Sequence, residues 1–513
     1  MLVAFGIMLS RVTGLIRVRV IAHYFGLQSD AADAFYSAFR IPNFLQTLLG
    51  EGAMSASFIP VYASLLAQGK RKEADRVAGA VAALLFLVVA LFVLAGVFAA
   101  PLLSAVLAPG FKDGKRELTT RIIRIVFPGT GVLVMGAWCL GVLNSHRKFL
   151  LPYAAGVMMN VAMIATLVVY GRSTTLPRLA IYLAWGSVAG SILQLGVQIP
   201  AVLRLASGLK FKIDPGSVHV RSICRNFVPV FISRGVVQVS AWIDSILASL
   251  LPTGAVTGLA SAQLLYTLPI SLFGMSVSAA ELPAMSGAAA LDTEGIEVVR
   301  RRLNAGLRQI AFFVVPSSMA FLALGDVLAS ALLESGRFSH ADSMYVWGIL
   351  AGSSIGLLAS TLARLYSSSY FALRDTRTPL RYALVRVTLT SALGYVCAVH
   401  LPGWLGISRS WGAAGLTGSA GVAGWVEMFL LRRTLSQRIG GTTVSPVFIL
   451  RLWSAAVAGA AVAWLIKLSL PALNPIMRAA LVLAPYGLVY LGAAWALQIP
   501  EAAATLNRLV RRK

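Results

Sequence analysis

The sequence predicts an all-α integral membrane protein with about fourteen transmembrane helices, and three observations carry that expectation. Of 513 residues, 58% are hydrophobic and 12% charged, with a mean hydropathy of +0.79, a balance foreign to soluble chains of this length. Apolar runs of roughly 20 residues, the length that spans a hydrocarbon core, recur from one end to the other. Lys and Arg gather in alternate short loops between those runs, as orientation in a membrane requires.

In order, the apolar runs put helices near 1–25, 30–66, 75–107, 118–144, 152–171 and 178–204. A second set follows near 222–251, 256–286, 305–333, 343–370, 379–401 and 407–433, and a last pair near 447–469 and 474–497. The second and third runs exceed a simple span, so they tilt, kink or project beyond the bilayer. Loops after the even-numbered runs carry Lys70-Arg-Lys72, His146-Arg-Lys148, Lys210 with Lys212 and Arg221, Arg300-Arg-Arg302, Arg374 with Arg377, and Arg432-Arg433; the tail adds Arg511-Arg-Lys513. Only the third loop, with Lys112, Lys115 and Arg116, disagrees. Both termini are therefore expected in the cytoplasm. The net charge of +25 reads as topology, not as a nucleic-acid footprint. Cys139, Cys224 and Cys397 lie far apart with no CxxC spacing and the five histidines are scattered, so neither a disulfide framework nor a metal site is expected.

The opening two helices set ionisable groups where lipid should be. A charge at mid-bilayer costs about 2.5–3.5 kcal/mol on insertion scales, which makes each a candidate for a polar pathway. At ~100° per residue, Asp33, Arg40 and Glu51 fall within about 20° of one stripe of a continuous helix and span roughly 27 Å along it. Pro42, mid-stripe, removes a backbone hydrogen bond and should kink the helix. Arg11 and Arg17 stand roughly 120° apart on the first helix, so both border one cavity only if it is wide or the helix is distorted at Gly14. The plainer reading is pairing across packed helices or snorkelling at the ends, and it suits Arg19 best.

An internal repeat appears at an offset of 227 residues: Phe39-Arg-Ile-Pro42 answers to Tyr266-Thr-Leu-Pro269, and Arg147-Lys-Phe-Leu-Leu-Pro152 to Arg374-Asp-Thr-Arg-Thr-Pro379. Two pseudo-symmetric six-helix lobes around a central cavity follow, the arrangement in which transporters hold substrate at the repeat interface. The expected division is an N-lobe at 1–204, a basic linker at 205–221 that could meet anionic headgroups, a C-lobe at 222–433, and two C-terminal helices with a basic tail at 434–513. The second lobe is chemically thinner. Arg234 and Asp244 lie about 80° apart on the seventh helix, where Asp244 is either a cation ligand or a structural partner of Arg234.

At Ser10-Arg-Val-Thr-Gly-Leu-Ile-Arg17, Asp33-Ala-Phe, Phe39-Arg-Ile-Pro-Asn43 and Gly50-Glu-Gly-Ala53 the sequence resembles the MurJ/MviN family of lipid II flippases, within the multidrug/oligosaccharidyl-lipid/polysaccharide exporter superfamily. Leu143-Asn144, Leu333-Glu-Ser-Gly-Arg-Phe338 and Arg374-Asp-Thr-Arg-Thr-Pro379 extend the resemblance over nearly the whole chain. It implies a bacterial inner-membrane protein, a monomer, whose cavity residues fall on Ser10, Arg11, Arg17, Asp33 and Glu51. Two departures stand out: Gln46 and Thr47 occupy a pair that is often basic in the family, and Leu264 replaces an arginine. Arg40 and Arg234 are the candidates to compensate.

The expected function is to move lipid II, a polyprenyl pyrophosphate bearing a glycopeptide, from the cytoplasmic to the outer leaflet by alternating access. Arg11 and Arg17 would hold the pyrophosphate through charge-assisted hydrogen bonds, and Asp33 and Glu51 would limit the positive charge. A ligand bound equally in both states shifts nothing, so net export calls for coupling to Na+, to H+, to membrane potential or to consumption outside, with no cofactor. The rival within transport is a polysaccharide-lipid or multidrug exporter. The rival outside it, a membrane glycosyltransferase, lacks a loop with paired carboxylates.

Overall fold

A chain surrounded by hydrocarbon must pair every backbone N–H and C=O within itself, and this sequence meets that demand with helices. The computed structural model describes residues 2–46, 48, 53–212, 214, 216–288, 293–442, 444–471 and 473–510. Every regular element among them is helical. Eleven helical runs among the described residues are long and apolar enough to cross a membrane, so the chain is multi-pass. The other three expected spans are the arginine-bearing first helix, the broken second run, and the seventh.

The chain divides into two compact units. The first joins Met1–Thr257 with Ser335–Phe338. It contains α1 (Leu2–Phe25), α2 (Asp30–Leu45), α3 (Ala53–Ala67), α4 (Arg71–Phe98), α5 (Ala100–Leu107), α6 (Asp113–Ser145), α7 (Leu150–Tyr170), α8 (Leu176–Leu205) and α9 (Val218–Ser249). The Ser29 hydroxyl starts α2 by accepting the Ala32 N–H at 3.4 Å. Pro42 lies inside α2, and wider π-type turns follow at Gln46 and Leu48. A proline and a change of helical pitch thus follow Asp33 and Arg40, which both lie ahead of them in α2. Glu51 and Thr47 lie outside the described residues.

The basic segment expected as a linker belongs to this first unit. Its Gly208 N–H donates to the buried Asp75 carboxylate at 2.9 Å, which pins it to α4. Beyond it, α9 packs on α3, α4 and α5. Stacked pairs Phe35–Phe39 and Phe58–Tyr62, each with centroids 5.2 Å apart, anchor the two apolar clusters of the unit.

The second unit spans Gly258–Glu334 and Ser339–Lys513. It holds most of α10 (Ala255–Pro269), a π-helical turn at Ile270–Met275, α11 (Ser276–Ala288), α12 (Thr293–Leu333), α13 (His340–Ala372), α14 (Arg377–Tyr395), α15 (Leu401–Trp404), α16 (Gly412–Ile439), α17 (Pro446–Ser469), α18 (Pro475–Ala496) and α19 (Pro500–Val510). The C-terminal pair is part of this body: the Tyr486 and Tyr490 hydroxyls of α18 donate to the Pro316 and Phe312 carbonyls of α12 at 2.6 and 2.5 Å. Where α13 crosses α16 the two backbones touch, and a methyl on Gly421 would stand 2.7 Å from the Gly356 nitrogen.

The repeat is written into the backbone. Arg147 and Arg374, 227 positions apart, are left-handed at φ +59° and +60° and close the C-termini of α6 and α13. The bonds around them correspond one for one: Lys148 N–H to Leu143 O and Asp375 N–H to Tyr370 O are both 2.9 Å, and Arg147 N–H to Asn144 O and Arg374 N–H to Phe371 O are both 3.0 Å. Pro42 and Pro269 also correspond, each preceding a π-type turn.

Candidate functional site: a polar cavity in the first unit

Ser10, Arg11, Gly14 and Arg17 of α1 line a cavity of about 460 Å³ enclosed by α1, α6, α7 and α8, with Gln46 at its edge. The two arginines reach it together because the cavity is wide, with Gly14 between them as wall. A second cavity in this unit, about 430 Å³ between α4, α6 and α8, is lined almost wholly by apolar side chains such as Phe86, Trp138 and Phe211. It offers nothing to a charged group.

Arg17 is half-buried and its guanidinium is unusually placed. Nη1 approaches the Met163 sulfur at 3.8 Å, and the group lies 5.7 Å from the centre of the Phe39 ring. Its Nε is buried with no hydrogen-bond partner, and no carboxylate among the described residues lies within ion-pair distance. Leaving a charged donor unsatisfied in a protein interior costs more than an ordinary lost hydrogen bond. Arg11 is exposed on the same cavity.

Neutral amides form the facing wall and were not anticipated. Asn160 of α7 donates through Nδ2 to the Ser10 carbonyl at 3.3 Å and the Thr13 hydroxyl at 3.0 Å, which fixes α7 against α1. Gln194 and Gln198 of α8 both line the cavity. Their spacing of four puts them on one helix face, which was the available signal.

Asp33 is elsewhere. It is 1% exposed, and both carboxylate oxygens are fully engaged. Oδ1 accepts the Thr257 N–H at 2.9 Å and its hydroxyl at 2.6 Å; Oδ2 accepts Lys115 Nζ at 2.8 Å and the Gly254 N–H at 2.9 Å. Asp30 adds a 3.0 Å contact to the same lysine. The carboxylate thus caps the first turn of α10, and Asp33 is not among the residues that line this cavity. Lys115, the basic residue that broke the loop pattern, is its counter-ion.

Arg40 also lies off the cavity lining; it interacts electrostatically with Asp244 on α9, next to an edge-on Phe44–Trp242 contact at 4.9 Å. Asp244, expected as a cation ligand or a structural partner of Arg234, has Arg40 within electrostatic reach. Arg234 is on α9, and its side chain lies outside what is described. Among the described residues no cluster of three metal-ligating side chains occurs.

Comparison with known proteins was made on this geometry. The family described as lipid II flippase MurJ matches residues 21–483. The lipid II flippase MurJ of Burkholderia cenocepacia is 31% identical over 440 residues, covering 84% of this chain and 82% of that protein. A probable lipid II flippase MurJ of Rhizobium tropici is 30% identical over 434 residues, 84% of this chain and 79% of that one. Among solved structures, a lipid II flippase MurJ in an inward closed conformation superposes with a TM-score of 0.76 at 22% identity, over 97% of this chain and 99% of that chain. An inward-facing multidrug resistance MATE family transporter superposes at 0.64 and 15% identity, over 83% and 95%. These two likenesses establish the fold.

Proposed function

Because the chain belongs to the lipid II flippase MurJ family, we propose that the polar cavity of its first unit receives the pyrophosphate end of lipid II. The chain is a lipid II flippase, a transporter and not an enzyme, and its work serves peptidoglycan synthesis. The single observation that carries the assignment of the cavity is Arg17: a half-buried guanidinium with an unpartnered Nε and no carboxylate neighbour among the described residues. Its planar fork suits phosphate oxygens. Arg11 at the exposed side supplies a second cation, and Ser10 a hydroxyl. Glu51 and Arg234 remain candidate members of the substrate path.

Asp33 and Arg40 act in support. Asp33 holds the start of α10, and Arg40 is balanced by Asp244. Transport runs from the cytoplasmic to the outer leaflet of the bacterial inner membrane, by a monomer with both termini in the cytoplasm, as the alternation of basic loops supports. Direction requires a bias between the two states. Na+, H+ or the membrane potential would supply it, and Asp244 is the residue on which to test the ion-linked forms.

The test replaces a bacterium's own lipid II flippase with this chain under conditional expression and labels lipid II from outside with a membrane-impermeant reagent. Expression is expected to keep lipid II reachable from outside and to sustain growth, and its withdrawal to leave lipid II on the cytoplasmic leaflet. Outward lipid II that is indifferent to the chain overturns the reading.

A further inference from the structure

Gln198 has one end of its amide spoken for. It is 1% exposed, and Nε2 donates to the Gln194 carbonyl one turn earlier at 3.0 Å. That bond fixes the orientation of the group, since a reversed amide would set two carbonyl oxygens against each other. Oε1 is therefore the end of the amide that this bond leaves unused, and it is buried with no hydrogen-bond partner among the described residues. Gly136, on the facing α6, also lines the cavity; a Cβ there would sit 3.6 Å from Nε2.

The cavity thus contains one buried donor that lacks an acceptor, Arg17 Nε, and one buried acceptor that lacks a donor, Gln198 Oε1. A pyrophosphate satisfies only the first. Ionised phosphate oxygens accept and do not donate, so against Oε1 they repel. The ligand that satisfies both carries an anionic oxygen and, close to it, an N–H or O–H. A sugar joined to the pyrophosphate has this character, because its ring substituents next to the glycosidic carbon are hydroxyl or acetamido donors.

We propose that Gln198 is a sugar-reading residue: its Oε1 accepts a hydrogen bond from an N–H or O–H of the sugar attached to the pyrophosphate, while Arg17 holds the phosphate. This rests on the cavity assignment above and deepens it, since it makes the site select a polyprenyl pyrophosphate that carries a sugar over one that does not. A site built around a hydrogen bond rejects the analogue lacking that group far better than a hydrophobic pocket rejects a missing methylene.

The experiment measures binding of two probes, lipid II and undecaprenyl pyrophosphate, to the full chain in lipid nanodiscs. The unsubstituted protein is expected to prefer lipid II by about tenfold or more. Gln198→Leu, which keeps the volume and removes the acceptor, is expected to weaken lipid II about tenfold and leave undecaprenyl pyrophosphate within twofold. Unchanged binding of the sugarless lipid also certifies that the variant is folded. Arg17→Ala is expected to weaken both probes. Equal loss of both probes in Gln198→Leu, or no loss of either, overturns the role of Gln198. Unaltered binding of both in Arg17→Ala overturns the cavity assignment itself. Should Gln198→Leu fail to fold, the preference of the unsubstituted protein decides, and equal affinity for the two probes overturns the proposal.

Discussion

In the second unit Asp326 lies 2.6 Å from Lys467 and Glu427 3.2 Å from Arg386, while Arg308 meets Glu501 at 2.8 Å. In the first unit Asp33 is treated the same way by Lys115, but Arg17 is not: its company is a thioether, an aromatic ring and a cavity. Where opposite charges meet inside a fold, their attraction is spent on holding helices in register. Where a cation is left facing space, the attraction is retained for something that arrives later. Depth in the bilayer therefore does not tell a structural charge from a binding one; the neighbour does.

The largest effect that could break this contrast is at Arg17. Arg17→Ala is expected to lower lipid II transport in proteoliposomes by about tenfold to a hundredfold, the worth of one or two charge-assisted hydrogen bonds. Its unfolding temperature in detergent should not fall. Early melting with transport per folded molecule intact would place Arg17 among the structural charges.

Asp326→Ala should do the reverse. It strands Lys467, which is 12% exposed beside the Trp464 ring, and should cost about 3 kcal/mol of stability. Adding Lys467→Met should return most of that loss, a coupling read from a double-mutant cycle of unfolding in detergent. Simple addition of the two losses would mean that the 2.6 Å contact holds nothing together.

The smallest effect is expected at the turn that the repeat preserves. Burial opposes the charge on Asp375, but the Thr378 N–H and hydroxyl and the Arg438 guanidinium at 2.6 Å outweigh it and bring the carboxyl down to about 2. A lowered carboxyl stabilises the fold above its ordinary value near 3.8 and loses that contribution as pH falls through about 2. The margin in melting temperature over Asp375→Asn should accordingly be full at neutral pH, shrink below about pH 4 and vanish near pH 2. A margin constant over that range would mean that the carboxylate charge is idle.

Hydropathy and loop charge made the helical class and the multi-pass character legible, because lipid imposes them residue by residue; the repeat was legible from two motif pairs at one offset. The arginines of α1 were legible for the same reason: a cation in an apolar run announces its own cost. Gln194 and Gln198 carry no charge, so they did not announce themselves as the arginines did, and their spacing of four was the signal that could have pointed to them. The partners of Asp33 were not legible, because Lys115 and Thr257 stand 82 and 224 positions away in sequence. Lys115 even looked like an exception to topology, when its position answers to two carboxylates.

The glycine contact between α13 and α16 limits how the second unit can change shape. With the Gly356 nitrogen where a side chain on Gly421 would begin, the two helices interlock main chain to main chain, and neither can ratchet past the other without atoms colliding. A rearrangement of the unit that keeps this seam intact is expected to be taken up at more pliant joints, such as the π-helical turn at Ile270–Met275. A bulkier residue at position 421 would jam the hinge line of the unit while leaving the arginine-lined chamber of the other unit chemically untouched.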